Sequence, residues 1–461
     1  MTCLYKLAGS SALALLLTGC ASLSADSGFA SVAEIGQQRL GAPAAGLRQL
    51  RSEDDSRALE ALIQQQLQQP LSADDAVRIA LLNNRGLQAS YWSLGIAEAD
   101  LVQAGRLQNP TLDFKRSREG GDIAIERTLT FNLIGLLSAP MASRIEGRRF
   151  EQTKLLVANE ALRVAAETRR AWVDAVAASQ SAAYALQVQA SAEASAQLAG
   201  RMRAAGNWSQ LDLGREQAYH AQALTDASRA QQRAEAAREK LTRWLGLSGQ
   251  QTSYQLPDHL PDLPVALPEL ADVERIALRD RLDLQAAKLD TEQTAASLGL
   301  NRSTRFINVL DLGLVRNSAA GQSARGYELS LEVPLFDWGA AKVARAEATY
   351  MQSVNRLAEA ATNARSEARE SYAAYRASYQ LARHYRDELL PARKQIAEQT
   401  LLRYNGMLMS VFELLADARE QASAVNGYIG ELREFWLAQA SLEAALGGRL
   451  PASATPTGAP Q

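Results

Sequence analysis

The side chains that could carry out catalysis are few in this 461-residue chain, and they are far apart. The three histidines, His220, His259 and His384, are separated by about 40 residues or more, which matches no spacing typical of a metal site. The sequence also contains no glycine-rich phosphate loop. We therefore predict no catalytic site, no metal site and no cofactor, and we expect that the protein is not an enzyme.

The cysteines indicate a different chemistry, the covalent attachment of lipid. Residues 12–17 form an apolar run that is too short to cross a bilayer as a helix, as in a cleaved secretory signal. The run ends in Leu17-Thr18-Gly19-Cys20, which resembles a bacterial lipobox. The resemblance implies cleavage before Cys20 and acylation of its thiol, with Ala21 favouring the outer membrane. Cys3 would leave with the signal, so no disulfide is expected. The alternative is an ordinary secretory signal with an incidental cysteine.

Composition argues against nucleic acid as a partner. Lys and Arg number 49 and Asp and Glu 51, so the formal net charge is −2 and no basic field is present. After the signal the sequence has no run of about 18 apolar residues, and we expect no membrane-spanning helix.

The chain contains an internal duplication. Leu129-Thr130-Phe131-Asn132-Leu133 matches Leu329-Ser330-Leu331-Glu332-Val333 at an offset of 200 residues, and Gly206 matches Gly406 at the same offset. Leu87-Gln88-Ala89 matches Leu284-Gln285-Ala286 at an offset of 197, so the two repeats differ by small insertions.

The duplication and the positions of Pro and Gly predict the division of the chain. In order, we predict a signal peptide (1–19), a lipidated, extended N-terminal segment (20–69), a first repeat (70–251), a Pro-rich linker (252–268), a second repeat (269–448) and a disordered tail (449–461). The first repeat is predicted to contain helix 71–106, strands 111–117 and 123–134, helix 143–205 and helix 210–247. The second is predicted to contain helix 270–302, strands 306–316 and 326–335, helix 340–404 and helix 411–446.

The predicted strands alternate apolar and polar side chains. Tyr327, Leu329 and Leu331 lie on one face, and Glu328 and Ser330 lie on the other. Such a sheet either packs on a soluble core or faces lipid in a membrane barrel. The predicted long helices already need each other, which favours the barrel. Since about eight strands is the smallest number that closes a useful barrel, several chains would have to share one.

The predicted helices are unusually long and rich in alanine. About 60 residues at 1.5 Å each give a rod of roughly 90 Å. Ala223, Ala227 and Ala230 follow a three–four spacing, and so do Ala418 and Ala422. This spacing is typical of coiled-coil packing. A curved wall of helices and an ordinary antiparallel coiled-coil pair both fit the pattern.

Several motifs resemble the TolC-type outer-membrane efflux proteins. Val333-Pro334-Leu335-Phe336-Asp337-Trp338-Gly339 is similar to the run with which that family leaves its barrel, and Leu71-Ser72-Ala73-Asp74-Asp75-Ala76 resembles its opening helix. Arg403-Tyr404-Asn405-Gly406 is similar to its periplasmic tip. The resemblance covers residues 70–448. In the first repeat, however, Asn132-Leu133-Ile134-Gly135 replaces the Pro-Leu-Phe-Asp-Trp-Gly run, so the strand-to-helix corner should differ there.

The resemblance implies a mixed α and β fold in which each chain contributes four membrane strands to a shared twelve-stranded barrel and long helical hairpins to a periplasmic tunnel. It implies a homotrimer in the outer membrane, anchored in lipid. The implied function is the exit duct of a tripartite efflux system. The partners would be a periplasmic adaptor and an inner-membrane pump of the resistance–nodulation–division type, the class commonly served by the acylated subgroup. The alternative is a periplasmic coiled-coil structural or adaptor lipoprotein.

The residues of the predicted hairpin turns are the candidate site. Apolar side chains at these turns indicate a docking surface for the adaptor. The predicted docking residues are Gly206, Trp208, Ser209, Leu211, Gly406, Met407, Leu408 and Ser410. Gly206 and Gly406 should also stop the helices with a positive φ. The second turn has one more residue between its Gly and Ser than the first.

Acidic residues beyond the second turn suggest a constriction. Glu413 and Asp417 are four residues apart and so share a helix face. Under threefold symmetry they would gather near the entrance, held shut through links to Arg403 or Tyr404. The alternative is that these acids only complement a helix N-terminus.

Overall fold

A computed structural model describes residues 22–119, 121–307, 309–319 and 322–450. The predicted signal peptide, Cys20, Gly120 and the tail after residue 450 lie outside the described residues. The mixed α and β fold class is confirmed. None of the helices in the described ranges is both long and apolar enough to span a membrane.

The chain forms two compact units. One contains the described residues up to Val32 together with Ser90–Val157 and Leu282–Thr362, and it holds the β-sheet. The other contains Ala33–Ala89, Ala158–Arg281 and the described residues from Asn363 onward, and it holds the two helical hairpin turns.

The first half of the chain contains six helices and two strands within the described residues. In chain order they are α1 (Phe29–Leu40), α2 (Glu53–Gln66), α3 (Ala73–Asn83), α4 (Arg85–Gly105), β1 (Thr111–Glu119), β2 (Asp122–Asn132), α5 (Leu133–Ala204) and α6 (Gln210–Leu245). Short 3-10 helices occur at Ala42–Ala44 and Gly249–Thr252.

The second half repeats the order from α3 onward. Its elements are α7 (Val273–Asp280), α8 (Leu282–Ser303), β3 (Leu310–Ala319), β4 (Gln322–Leu331), α9 (Ala340–His384), α10 (Leu390–Asn405) and α11 (Val411–Leu446). A π turn at Tyr385–Leu389 joins α9 to α10.

The N-terminal segment is more ordered than expected. We predicted that residues 20–69 would be extended, but α1 and α2 lie within this range. Ser52 begins α2 with a reciprocal capping box to Asp55, and the apolar Leu59 and Ile63 are buried. Most residues of α2 are polar, which favoured an irregular segment, but the four-residue spacing of Leu59 and Ile63 indicates a helix with one buried face.

The opening helix of each repeat is interrupted, contrary to the prediction of one continuous helix. Asn84 (φ −63°, ψ 116°) separates α3 from α4, and Arg281 (φ −66°, ψ 123°) separates α7 from α8. At the first break, the buried Asn83 amide donates to the carbonyls of Leu245 and Gly246, at 2.9 and 2.8 Å. The extended residue therefore places an amide where it caps the C-terminal end of α6.

Glycines fit the two breaks tightly. Gly246 (φ 67°) ends α6, and a Cβ atom there would lie 2.8 Å from the carbonyl oxygen of Asn83. Gly447 (φ 77°) ends α11, and its Cβ would lie 2.9 Å from the carbonyl oxygen of Asp280. Both positions need glycine for two reasons, the left-handed backbone and the close backbone neighbour.

The four strands form one antiparallel sheet in the order β1-β2-β3-β4. One cross-strand row contains Leu112, Leu129, Leu314 and Tyr327, and the next apolar row contains Phe131, Leu312 and Leu329. Most of these side chains are exposed in the chain. The sheet thus has an apolar face that no other described layer covers, as the alternation in the sequence predicted.

The strand ends differ from the prediction in the second hairpin. β3 ends three residues later than predicted, at Ala319, and β4 begins and ends four residues earlier, at Gln322 and Leu331. Polar residues extend the ladder through their backbones, with Asn317 opposite Ala324 and Arg325 opposite Arg316. The apolar pattern of the sequence did not reveal these pairs. In the first repeat β2 passes directly into α5 at Leu133, ten residues before the predicted start.

The strand-to-helix corners of the two repeats differ, as expected. In the second repeat the chain is irregular from Glu332 to Gly339, and Pro334 removes a backbone donor there. Asp337 accepts from the Gly339 N–H at 2.8 Å, and Trp338 meets Phe306 edge to face. A Cβ on Gly339 (φ 71°) would lie 2.5 Å from a backbone oxygen, so glycine is required at this corner.

Candidate functional site at the two hairpin turns

The first hairpin turn joins α5 to α6 through a glycine. Gly206 has a φ of 79°, its N–H donates to the Arg203 carbonyl, and the Asn207 N–H donates to the Met202 carbonyl. These two bonds form a Schellman motif, which satisfies carbonyls at the end of α5. Three residues after Gly206, the Ser209 hydroxyl accepts from the Asp212 N–H at 3.1 Å and caps α6.

The second hairpin turn, between α10 and α11, uses a different residue than predicted. Gly406 has a φ of −79°, so the prediction of a positive φ there is wrong. Met407 takes the left-handed conformation instead, with a φ of 58°. Its N–H donates to the Tyr404 carbonyl, and the Leu408 N–H donates to the Arg403 carbonyl, which is the same Schellman motif.

The two turns therefore have equal spacing when they are aligned on the left-handed residue. Ser209 lies three residues after Gly206, and Ser410 lies three residues after Met407. The extra residue that the glycine alignment placed inside the second turn is not there. The structural counterpart of Gly206 is Met407.

An aromatic stack connects the two turns. Trp208 in the first turn stacks on Phe412 in α11, with ring centroids 4.3 Å apart and 24° between the ring planes. Trp208 is 6% exposed, so its side chain is not presented to a partner as we had predicted. Burial of a large ring between the turns fixes their mutual position instead.

The exposed apolar side chains of the turns belong to three other predicted residues. Met407 is 94% exposed, Leu408 is 81% exposed and Leu211 is 64% exposed. Isolated apolar residues are common at surfaces, but two consecutive ones at a turn are unusual in pure solvent. Gly206, Ser209, Gly406 and Ser410 shape the backbone that presents them.

Glu413 participates in capping rather than in a link to Arg403 or Tyr404. Its carboxylate accepts from the Ser410 N–H at 3.0 Å and from the Ser410 hydroxyl at 2.9 Å, and its own N–H donates back to that hydroxyl. The backbone N–H of Ser410, and next its hydroxyl, hold the pKa of Glu413 below its usual value. Of the two interpretations of this acid, capping is the one that the contacts in the chain support.

A charged cluster that the sequence analysis missed lies beyond the turns. The Glu216 side chain in α6 is only 3% exposed. It accepts from Arg419 of α11 at 2.6 Å and from the Ser195 hydroxyl of α5 at 2.7 Å. The Arg419 guanidinium also lies 4.0 Å from the ring centroid of Tyr219. One carboxylate thus connects three helices.

Burial in this cluster affects the neighbouring tyrosines. Desolvation raises the pKa of Tyr219, and the charge of Arg419 partly opposes this. Desolvation also raises the pKa of Tyr184, followed by the effect of Tyr219. Both phenols therefore stay neutral at physiological pH and can donate hydrogen bonds. A cavity of about 270 Å³ lies beside them.

A signal for this cluster was present in the sequence. Glu216 continues, at a spacing of seven, the stripe formed by Ala223, Ala227 and Ala230. An acidic residue in an apolar stripe is buried in a coiled coil and needs a cationic partner. The partner, Arg419, could not be found this way because it lies 203 residues away.

Within the described ranges, no group of three or more His, Cys, Asp and Glu side chains could hold a metal ion. The ring of His384, at the end of α9, lies 3.2 Å from the Glu388 carboxylate in the π turn, and the His259 ring contacts the Leu260 carbonyl at 3.1 Å.

Comparisons with known proteins extend the description of the fold. Neither protein-family models nor curated protein sequences give a match. Solved structures do. A structure of CusC, described in terms of folding and transmembrane channel formation, is 17% identical with a TM-score of 0.69, covering 82% of this chain and 92% of that one.

Two further structures are similar to the same extent. A membrane protein from Pseudomonas aeruginosa is 20% identical with a TM-score of 0.70, covering 81% of this chain and 92% of that one. The open state of the Neisseria gonorrhoeae MtrE outer membrane channel is 18% identical with a TM-score of 0.68, covering 83% of this chain and 89% of that one. At such identities the likeness establishes the fold over most of the chain.

Proposed function

We propose that this chain, whose fold is that of solved outer-membrane channels, is one of three identical subunits of the exit duct of a tripartite efflux system. Its partners would be a periplasmic adaptor and an inner-membrane pump of the resistance–nodulation–division type. It would act as a conduit rather than an enzyme. It would reside in the outer membrane, with an additional lipid anchor at Cys20.

The sheet is the observation that carries this proposal. It has an exposed apolar face, and its outer strands β1 and β4 each pair with a single neighbour in the described chain. An unpaired strand edge in lipid costs several kcal/mol for each backbone group, so four strands alone would not be stable there. Three sheets joined edge to edge would satisfy every edge in a twelve-stranded barrel.

For adaptor docking, we propose the surface formed by Met407, Leu408 and Leu211, which we call the apolar tip. The apolar tip lies at the ends of both hairpins, and the Trp208–Phe412 stack holds the hairpins together behind it. Exposed apolar residues at the centre of an interface commonly contribute much of its binding energy.

Charged substitutions in the apolar tip would test docking. We expect Met407→Asp and Leu408→Asp to abolish resistance in a strain that lacks its own channel, while membrane trimers persist. Val265→Asp provides a matched control because Val265 is 87% exposed and lies in the inter-repeat linker. Full resistance with both tip variants would overturn the docking assignment.

For the constriction, we propose Asp417 together with Glu413, the latter in addition to its capping contacts with Ser410, with Arg403 and Tyr404 nearby in the chain. Threefold symmetry would bring six carboxylates to the entrance and favour cations there. Glu413→Ala combined with Asp417→Ala should raise the single-channel conductance in planar bilayers. Unchanged conductance would remove both residues from the constriction.

The competing function, a tethered periplasmic coiled-coil or adaptor lipoprotein, predicts a different behaviour of the protein without its acyl chain. We expect Cys20→Ala with a substitute signal peptide to lose the acyl label and still resist extraction from the membrane by urea. Complete release into the soluble fraction would favour the tethered lipoprotein and exclude a barrel.

A further inference from the structure

Three arginines stand side by side on the sheet. The strand register places Arg127 of β2 opposite Arg316 of β3, and Arg316 opposite Arg325 of β4, with Phe114 of β1 completing the row. All three arginine side chains are exposed, and the Arg127 guanidinium lies 5.9 Å from the Phe114 ring centroid. Neighbouring strands are about 4.8 Å apart, and like charges directly opposite one another destabilise a sheet.

The arginines of the described strands lie on one face of the sheet, and the acids lie on the other face together with one lysine, Lys115. Residues two apart on a strand share a face, so Arg116 and Arg118 lie on the same face as the arginine row. No acidic side chain of the described strands lies on that face, and no described residue forms an ion pair with any of the five arginines. The opposite face carries the acids. These are Asp113, Asp122, Glu126, Asp311 and Glu328.

The arginine row borders the apolar part of the same face. One apolar row contains Leu112, Leu129, Leu314 and Tyr327. It lies two residues, or roughly 6.7 Å along a strand, further than the arginine row from the connections of β1 to β2 and of β3 to β4. Two more apolar rows follow in that direction. In the other direction, toward the connection of β1 to β2, the face carries Arg116 and Arg118. Opposite them lie Ile125 and Ile123, with Ser318 and Ser323 further along the first of these rows. Along the strands the face therefore passes from rows without charge to rows that each contain arginine.

We propose that this arginine row binds the phosphate groups of a lipid with more than one phosphate, whose acyl chains cover the adjacent apolar rows. The inference rests on the proposed membrane barrel. Guanidinium groups suit the task because they are always charged and bind phosphate oxygens through two parallel hydrogen bonds. Phosphates between the three side chains would also relieve their mutual repulsion.

A lipid fits better than free phosphate or a protein. The cationic and apolar zones lie on one continuous exposed face and meet within a single two-residue step. A phosphorylated lipid presents the same order, with charged headgroup phosphates directly above acyl chains. In the proposed trimer the row would contribute nine arginines at one height, in the leaflet nearer the connections of β1 to β2 and of β3 to β4.

The test uses the full, lipidated protein in phosphatidylcholine nanodiscs, with diphosphorylated lipid A added as the probe and its dephosphorylated form as the comparison. Native mass spectrometry counts the probe molecules bound to each trimer. We expect Arg127→Gln/Arg316→Gln/Arg325→Gln to weaken binding of the diphosphorylated probe by about a hundredfold, since each arginine near an anionic surface contributes roughly a fivefold factor. The dephosphorylated probe should bind the wild type as weakly as it binds this variant.

Two further variants complete the test. Arg345→Gln/Arg356→Gln/Arg365→Gln removes three exposed cations from α9 and should leave probe binding unchanged. The corresponding Arg→Lys triple variant of the row keeps the charge but loses the paired hydrogen bonds, so its binding should lie between that of the wild type and that of the Gln variant. It controls for misfolding of the Gln variant.

Equal probe binding by the wild type and the Gln variant would overturn the inference. So would inorganic phosphate that displaces the probe at equal molar concentration, because that would show a simple anion site. Trimer insertion and conductance are measured on the same samples. If the wild type fails to insert, the proposed channel fails and this inference fails with it; normal insertion without phosphate-dependent binding refutes this inference alone.

Discussion

Met407 has a backbone conformation that strains any residue with a side chain, since a left-handed φ costs roughly 1–2 kcal/mol without glycine. We expect Met407→Gly to raise the free energy of unfolding by about 1 kcal/mol, because its exposed side chain contributes little burial. Gly206→Ala should lower it by a similar amount, and Gly406→Ala should change it little because φ is −79° there. Thermal unfolding of the three variants in detergent provides the measurement. Destabilisation by Met407→Gly would contradict the assigned turn.

The Glu216–Arg419 pair should respond unequally to loss of its two members. Arg419→Ala leaves a carboxylate that is 3% exposed without its cation, which should cost about 3–5 kcal/mol. Glu216→Gln leaves a cation that keeps a third of its exposure, so we expect a smaller loss of about 1–3 kcal/mol. Glu216→Leu/Arg419→Met should recover most of the stability, because both charges are then gone. A double-mutant cycle of Glu216→Leu, Arg419→Met and the double variant, on free energies of unfolding, measures this, and additive losses would argue against coupling.

At the scale of elements, the sequence predicted the parts whose signals are local. Ser72 begins α3 as expected, and the alternation of Tyr327, Leu329 and Leu331 predicted the apolar face of β4. The break at Asn84 was missed because its cause is the amide contact between Asn83 and Leu245, 162 residues away. For the same reason the sequence indicated the hairpin turns but not the contact of Trp208 with Phe412, or that of Glu216 with Arg419.

The glycines at the ends of α6 and α11 provide a test with internal controls. Gly246→Ala and Gly447→Ala should each lower the free energy of unfolding by more than about 1 kcal/mol, because a left-handed backbone is combined with a backbone oxygen under 3 Å from the new Cβ. Gly214→Ala and Gly430→Ala lie inside the same two helices with no atom within 4 Å, so they should stabilise by roughly 0.5–1 kcal/mol. Chemical denaturation followed by circular dichroism compares the four variants. If Gly246→Ala changed the free energy of unfolding as Gly214→Ala does, and Gly447→Ala as Gly430→Ala does, the close backbone approach would be refuted.

For the whole molecule, a shared barrel requires β1 of one chain to pair with β4 of the next. Asp113→Cys in β1, combined in turn with cysteine at residues 324, 326, 328 or 330 of β4, should give covalent trimers in at least one combination after oxidation. Glu126→Cys/Asn317→Cys is the matched control, since these partners lie opposite each other within one chain and should crosslink only internally. Denaturing gels distinguish the products. Inserted protein that gave no covalent oligomer in any combination would exclude edge-to-edge pairing.

The π turn at Tyr385–Leu389 marks the place where the two repeats differ in length by one residue. From β2 and β4 up to this point the two repeats correspond at an offset of 200, as with the buried Ala182 and Ala382. Beyond it they correspond at 201, as with Ala199 and Thr400 or Ser209 and Ser410. A π turn holds one residue more than an α-helical turn. The one residue by which the second repeat is longer here is thus accommodated by widening one helical turn. Beyond it the capping serine keeps the same place in both repeats, three residues after the left-handed residue, so the two hairpin turns have the same geometry despite the difference in length.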